Sequence, residues 1–396
     1  MRSITAVLLV TLMLSMLLTS CWSEQELDEI AIVTATGLDR MDNGKLRLSL
    51  LIAIPRLFGT GSAQGGGESR LESSAGWVVS EEGDSIMDIT RILQKKLPRE
   101  IFYSQSRVII IGKKLATEGV QPVLDFFERY RQSQLISYVA VSKTTALDIL
   151  NFQPKFEKLG SEVLKQEMRQ NLTPSVQFID FLNTLMSEGI EPIVPTIEFM
   201  PSQYGEGSKG KIDNIAITGL ALFHKDKMVA EMDEQNGRGI LWVINKIHKG
   251  VITIQVEGEE RPGNVSTELE RVTVDRETEI RNGKVHITLK INLTENVYEN
   301  TSDIDMDKVQ NVNLVQKKVE DAIKKRIYDN CKLVQGKYNT DVYGFGQSVY
   351  RRYPKQWHKE YKERWDELFP QIQLDVKIKG RIIRSGLTNN VIKPEE

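Results

Sequence analysis

Histidine and cysteine side chains form most metal sites and many nucleophilic sites, and this sequence contains four histidines and two cysteines. The histidines lie far apart, at His224, His248, His286 and His358. None has a second ligand at the spacing of a zinc motif such as H-E-x-x-H. The sequence also lacks a G-x-S-x-G nucleophile motif and a dinucleotide-binding glycine motif. It therefore predicts no metal, no cofactor and no catalytic residue, and the protein is not expected to be an enzyme.

The N-terminal segment predicts a different kind of chemistry, centred on Cys21. Arg2 precedes an almost wholly apolar run from Ile4 to Leu18, which is short for a membrane span. Thr19 and Ser20 then lead to the cysteine, and this Leu-Thr-Ser-Cys ending resembles the bacterial lipobox. The resemblance implies cleavage after residue 20 and lipidation of Cys21 by a diacylglyceryl group. Residues 1–20 are thus predicted to be a lipoprotein signal peptide, with an ordinary secretory signal or an uncleaved anchor as the alternative.

Composition limits the other classes of function. The 396 residues suffice for two or three domains, because single cores rarely grow beyond about 250–300 residues. Basic and acidic side chains number 52 and 54, which gives a net charge of −2 and argues against nucleic acid as a partner. A lipidated Cys21 would leave Cys331 without a partner in the chain, so no disulfide is expected.

Residues 21–203 are predicted to form a mixed α/β region of one or two subdomains. Asn43-Gly44 between two apolar runs predicts a β-hairpin near the anchor. Short apolar strands then alternate with segments of helical periodicity. Between them, residues 59–74 are rich in glycine and serine and predict a mobile loop.

Residues 204–211 are the predicted linker between two domains, since they are rich in glycine and lysine and lack apolar periodicity. Gly205–Lys211 also fits the phosphate-binding pattern G-x-x-x-x-G-K. However, Ile212 stands where Ser or Thr should bind magnesium, and a strand is predicted where the helix should begin. The linker interpretation is therefore favoured.

Residues 212–396 predict an antiparallel sheet packed by a long helix. Hairpins are indicated around residues 224–227 and around Asn282-Gly283, and the second has strictly alternating apolar residues. Apolar residues at helical spacing then predict a helix from Met306 to Lys337, with Cys331 in its buried stripe. After Pro354, the residues Trp357, Tyr361, Trp365 and Leu368 recur at helical spacing and predict a buried stripe. A final strand follows. The complete fold class is α+β or mixed α/β, in more than one domain.

Three further stretches of the sequence are distinctive. Trp22 follows the lipobox at once, and Gly219–Phe223 reads Gly-Leu-Ala-Leu-Phe. Tyr343-Gly344-Phe345-Gly346 is followed by Pro354, Trp357, Trp365 and Phe369. In this order, over nearly the whole mature chain, these stretches resemble the Ger(x)C family of spore germination proteins, the lipoprotein C subunits of nutrient germinant receptors.

The resemblance implies a lipid-anchored, non-catalytic subunit at the outer face of the inner spore membrane. Its implied partners are the A and B membrane subunits of the receptor. Only Cys21 carries over as a lipidation site, whereas other positions carry over as expected determinants of the fold: Trp22, Gly219, Phe223, Gly346, Trp357 and Trp365. The alternative is a lipoprotein solute-binding or cell-envelope domain unrelated to germination.

Overall fold

The computed structural model describes residues 26, 28–55, 75–130, 135–154, 157–169, 174–201, 214–247, 249–258 and 261–384. Cys21, Trp22, the predicted signal peptide, the loop at 59–74 and the linker at 204–211 lie outside the described residues. Two sheets organise the described chain.

Nine described strands form the first sheet. They are β1 Ile30–Arg40, β2 Leu46–Ala53, β3 Gly76–Gly83, β4 Glu100–Phe102, β5 Val108–Gly112, β6 Tyr138–Ser142, β7 Ile193–Met200, β8 Asn214–His224 and β9 Lys227–Asp233. Their order is β3-β2-β1-β5-β6-β7-β8-β9, with β4 also beside β1. The central strands β1, β5, β6 and β7 run parallel, and antiparallel strands extend the sheet on both sides.

Helices cover both faces of this sheet. They are α1 Ile86–Lys96, α2 Lys113–Glu118, α3 Gln121–Arg129, α4 Ala146–Leu150, α5 Gly160–Arg169 and α6 Phe178–Leu185. Residues such as Leu93 and Phe181 form a core on one face, and Ile149 and Leu164 form a core on the other. Because both faces are covered, β5 is apolar and buried along its whole length. The predicted mixed α/β region is confirmed.

The second sheet consists of β10 Val251–Val256, β11 Gly263–Arg281, β12 Lys284–Asn300 and β13 Gln373–Arg384. The helix α7 Glu234–Val243 precedes it, and the long helix α8 Val309–Leu333 packs on it. A π-helical turn, Val334–Tyr338, and the helix α9 Phe345–Arg352 follow α8. The chain continues through α10 Pro354–Gln356, a π-helical turn Trp357–Tyr361, a 3₁₀ turn Lys362–Arg364, α11 Trp365–Leu368 and a 3₁₀ turn Phe369–Gln371.

Three strands of this sheet are antiparallel, as predicted, but β13 runs parallel to β12. The helices between β12 and β13 return the chain to the end where β12 began, and such a crossover produces a parallel pair. The sequence expectation of a wholly antiparallel sheet was therefore wrong in its last strand. The long helix on this sheet is confirmed.

The hairpin of β8 and β9 joins the two parts of the molecule. It extends the first sheet because β8 pairs with β7, although residues 212–396 were expected to form a separate domain. Ala221 and Phe223 of β8 pack into the core of the first sheet, whereas Leu220 and Leu222 pack into the core of the second. The boundary between the sheets thus follows Asp233, and the domain boundary at 204–211 stays a prediction. Residues up to Asp233 are called the first unit below, and later residues the second unit.

Candidate functional site

Three of the sequence-predicted positions, Gly346, Trp357 and Trp365, meet where the two units touch. All three belong to the segment that follows α8, residues 339–369, which is called the aromatic segment below. It packs against residues 186–192, the connection from α6 to β7, which is called the strap. The contact between the strap and the aromatic segment is called the junction.

Two glycines let the backbones of the strap and the aromatic segment touch. The amide of Gln347 donates a hydrogen bond of 2.7 Å to the carbonyl oxygen of Gly189. A Cβ atom on Gly346 would lie 2.7 Å from Cε2 of Trp365 and 2.8 Å from Cα of Gly189. Gly189 also has a φ of +70°, which side-chain-bearing residues rarely adopt. The close contact between the two backbones therefore requires glycine both in the strap, at Gly189, and in the aromatic segment, at Gly346.

Asp341 organises the aromatic segment from inside. Its buried carboxylate accepts hydrogen bonds from the amides of Phe345 (3.0 Å) and Gly346 (2.7 Å), and from Nε1 of Trp365 (3.0 Å). Burial raises the pKa of Asp341 to about 6, while these three donors oppose the rise. One carboxylate thus holds both the start of α9 and the second tryptophan.

Glu188 of the strap binds the first tryptophan. It accepts hydrogen bonds from Nε1 of Trp357 (2.7 Å) and Nζ of Lys362 (2.6 Å). The bond from Lys362 lowers the pKa of Glu188. The rings of Trp357 and Trp365 pack edge to face, with centroids 5.1 Å apart. Each indole N–H therefore has a carboxylate acceptor, one from the strap and one from the aromatic segment itself.

Phe223 and its neighbours close the other side of the strap. The amide of Phe223 donates to the carbonyl oxygen of Pro192 (3.0 Å), and the hydroxyl of Thr340 donates to the carbonyl oxygen of Phe223. Glu191 accepts a bond of 2.6 Å from the amide of Lys225, and Nδ1 of His224 lies 3.3 Å from its carboxylate. Burial raises the pKa of Glu191 to about 7. Phe223 is therefore a junction residue as well as a core residue.

Arg276 of β11 ties the second sheet to the aromatic segment. Its guanidinium donates to the carbonyl oxygens of Gly344 (3.1 Å) and Val243 (3.0 Å), and to Oγ of Ser348 (3.0 Å). It also lies 5.2 Å from the ring centroid of Phe345. Burial lowers the pKa of Arg276.

Sequence reasoning missed Glu188, Asp341 and Arg276. The available signal was indirect, since buried tryptophans need acceptors for their N–H groups. Gly219 was predicted but is not part of the junction. Its added Cβ would collide with the carbonyl oxygen of Met232 in β9, which makes it a position of close strand approach. Cys21 and Trp22 lie outside the described residues.

The polar side chains of the junction, Glu188, Asp341 and Arg276, form hydrogen bonds with other groups of the chain itself. Among the described residues, no group of three or more His, Cys, Asp or Glu side chains could hold a metal ion. In that same part of the chain, no helix has both the length and the apolar character needed to cross a membrane.

Comparisons with known proteins find spore germination proteins along nearly the whole chain. Residues 23–199 match the family described as spore germination protein N-terminal domain, and residues 218–386 match the family described as spore germination B3/GerAC like, C-terminal. The chain is also similar to the crystal structure of the GerBC protein, with a TM-score of 0.56 and 17% identity over 88% of this chain and 97% of that one. At this identity the structural likeness shows a shared fold.

Two proteins of Bacillus subtilis (strain 168) are similar over nearly their whole length. Spore germination protein KC is 27% identical over 406 residues, which cover 98% of this chain and 97% of that protein. The putative spore germination protein YfkR is 27% identical over 371 residues, covering 92% and 94%. Spore germination protein GerQC of Bacillus cereus is 21% identical over 383 residues, covering 95% and 98%.

The two family matches, which together cover most of the chain, define the class as a spore germination protein. Within that class, the chain belongs to the Ger(x)C family. The family resemblance seen in the sequence is thereby confirmed.

Proposed function

We propose that this protein is the lipid-anchored C subunit of a spore germinant receptor, which binds and positions its partners without catalysing a reaction. The carrying observation is the family match over both units, which begins at residue 23, two residues after Cys21 of the lipobox. The partners would be the A and B membrane subunits. The location would be the outer face of the inner spore membrane, where the complex starts nutrient-triggered germination.

A diacylglyceryl group on Cys21 would give the chain its place in the receptor. Two acyl chains hold a protein at a bilayer far more firmly than one chain, which binds only marginally. Confinement to the membrane raises the effective concentration of the subunit near membrane partners. Association with the A and B subunits would therefore need only modest contact energy.

The junction supports a role in positioning. Glu188 of the strap accepts hydrogen bonds from Trp357 and Lys362 and so joins the first unit to the second. Asp341 and Arg276 bond within the second unit and hold the aromatic segment in the shape that meets the strap. A surface composed from both units would then have one defined shape, which is what a binding and assembly component requires.

The experiment is a Cys21→Ala variant expressed in spores, with Cys331→Ala as the matched cysteine control. We expect Cys21→Ala to reduce the membrane-bound fraction and slow nutrient-triggered germination, because the anchor is lost. Cys331→Ala alters a buried thiol of α8 and leaves the lipobox intact, so it should leave both unchanged. Membrane fractionation with immunoblotting and the germination rate are measured at matched protein level. Normal assembly and germination of the Cys21→Ala spores would contradict the anchor's role.

A further inference from the structure

A cleft of about 580 Å³ opens between the two units, on the side of the strap away from the tryptophans. The first unit contributes residues 174–176, part of α6 and the strap, and the second unit contributes the end of α7, β11 and the aromatic segment. Its volume lies in the range of about 300–1,000 Å³ that is typical of small-molecule sites. Apolar side chains line much of it, among them Phe181, Ile193, Val243 and Val274.

The wall from the second unit is positively charged. Lys246, Arg276 and Arg351 all line the cleft. Within the described part of the chain, none of the three forms an ion pair, whereas several exposed lysines elsewhere do. Arg276 is largely buried and is bonded only to neutral oxygens, those of Gly344, Val243 and Ser348. The buried carboxylate of Asp341 offsets part of this charge from nearby without a hydrogen bond to the guanidinium. An incoming anion would further lower the cost of burying the cation.

The acidic groups at the cleft do not neutralise this wall. Asp180 is exposed to solvent in the first turn of α6. Glu191 also lines the cleft, but its carboxylate is bonded to the amide of Lys225 on the far side of the strap. Because burial raises the pKa of Glu191 to about 7, it carries only part of a negative charge near neutral pH. The cleft therefore has an excess of positive charge beside an apolar wall.

We propose that this cleft binds a small organic anion, a carboxylate with an apolar body. The carboxylate would lie between Lys246 and Arg351, with Arg276 beneath it, and the apolar body would lie against Phe181, Ile193 and Val274. Both units form the walls, so a bound ligand would fasten them together. This inference concerns the chain itself and stands independently of the receptor role.

The test uses isothermal titration calorimetry on the full lipidated chain in nanodiscs of zwitterionic lipid. The probes are sodium 4-phenylbutyrate and its neutral analogue 4-phenylbutanamide, which differ in charge at nearly equal size. We expect the acid to bind about tenfold or more tightly than the amide. The double variant Lys246→Gln/Arg351→Gln should weaken the acid about tenfold or more and leave the amide unchanged.

The control variant is Lys355→Gln/Lys359→Gln, which removes the same charge from exposed positions of the aromatic segment that do not line the cleft. It should bind both probes as the parent does. Arg276 is left intact because it holds the Gly344 turn. Three results would overturn the proposal: equal affinity for acid and amide, unchanged acid binding in the cleft variant, or no saturable binding by the parent chain.

Discussion

Gly346 shows how closely the junction is fitted at the scale of single residues. A methyl group there would meet the ring of Trp365 and the backbone of Gly189, neither of which is the free end of a flexible side chain. We expect Gly346→Ala to lower the free energy of unfolding by about 1–3 kcal/mol through overpacking. The matched control is Gly336→Ala, because nothing lies within 4 Å of its added Cβ.

Urea denaturation followed by tryptophan fluorescence measures both glycine variants. Gly336→Ala lies in a helical turn and should be neutral or stabilising by up to about 1 kcal/mol. Equal unfolding midpoints for Gly346→Ala and the parent would show that the crossing can relax and that the glycine is not required.

Glu191 predicts a dependence of stability on pH. Its folded pKa of about 7 lies above the ordinary glutamate value of 4.5, so the folded chain holds more protons between these values. Its stabilising contribution is complete below the lower value and is lost as pH rises through the higher one, by at most about 3 kcal/mol. We expect the urea midpoint to fall between pH 6 and 7.5, and Glu191→Gln to flatten that fall.

The control for this prediction is Glu277→Gln. Its hydrogen bond with Lys290 lowers the pKa of Glu277, so that carboxylate is ionised throughout the window. Asp341 titrates mostly below the window, since its pKa is about 6, and it is unchanged in both variants. An unaltered slope in Glu191→Gln would refute the assignment to Glu191.

At the residue scale, the sequence predicted which side chains are buried better than it predicted which polar groups form hydrogen bonds with one another. Apolar periodicity placed Trp357, Tyr361 and Trp365 in one stripe, and all three are buried. Glu188 could not be found in this way, because it lies 169 residues from the tryptophan that it binds. Such distant polar pairs depend on the tertiary fold and leave no local pattern. The role of the tryptophans and glycines as determinants of the fold stays a prediction.

At the scale of elements, β8 has the most consequential position. Its run Leu220 to Phe223 is continuously apolar because both faces are buried, each in the core of a different unit. We expect Leu222→Ala to cost about 2–5 kcal/mol and Phe223→Ala about 3–5 kcal/mol of unfolding free energy. Both variants should lower the unfolding temperature of both units together, because each opens a cavity at β8, the strand that contributes to both cores.

Val229→Ala in β9 is the matched control, since Val229 is 41% exposed. Its cost should stay within about 0.5 kcal/mol. Differential scanning calorimetry distinguishes the outcomes. If Leu222→Ala lowered the transition of one unit and left a second transition in place, the hairpin would not couple the units.

Helix α8 shows how periodicity performs at the element scale. The predicted stripe is buried from Val315 through Val319, Ile323 and Ile327 to Cys331. The helix begins at Val309 and not at Met306, and Val309 itself is 72% exposed. Periodicity therefore located the buried face but could not locate where tertiary contact begins.

At the scale of the whole molecule, the sequence predicted the class of each half, and the boundary at 204–211 stays a prediction. The sequence did not indicate that the hairpin after this stretch completes the first sheet. Likewise, the direction of β13 depends on the path of about 70 intervening residues, which no local pattern encodes. Strand pairing over such distances is a property of the fold and not of the segments.

The measurement that tests the central claim most directly is purification of the lipidated chain from inner membranes of dormant spores. Mass spectrometry would identify the co-purifying proteins and the N-terminal peptide that begins at Cys21. The account predicts the A and B membrane subunits of a germinant receptor together with a diacylglyceryl-modified Cys21. Recovery of an ABC permease, or of the chain alone with an unmodified N-terminus, would contradict it.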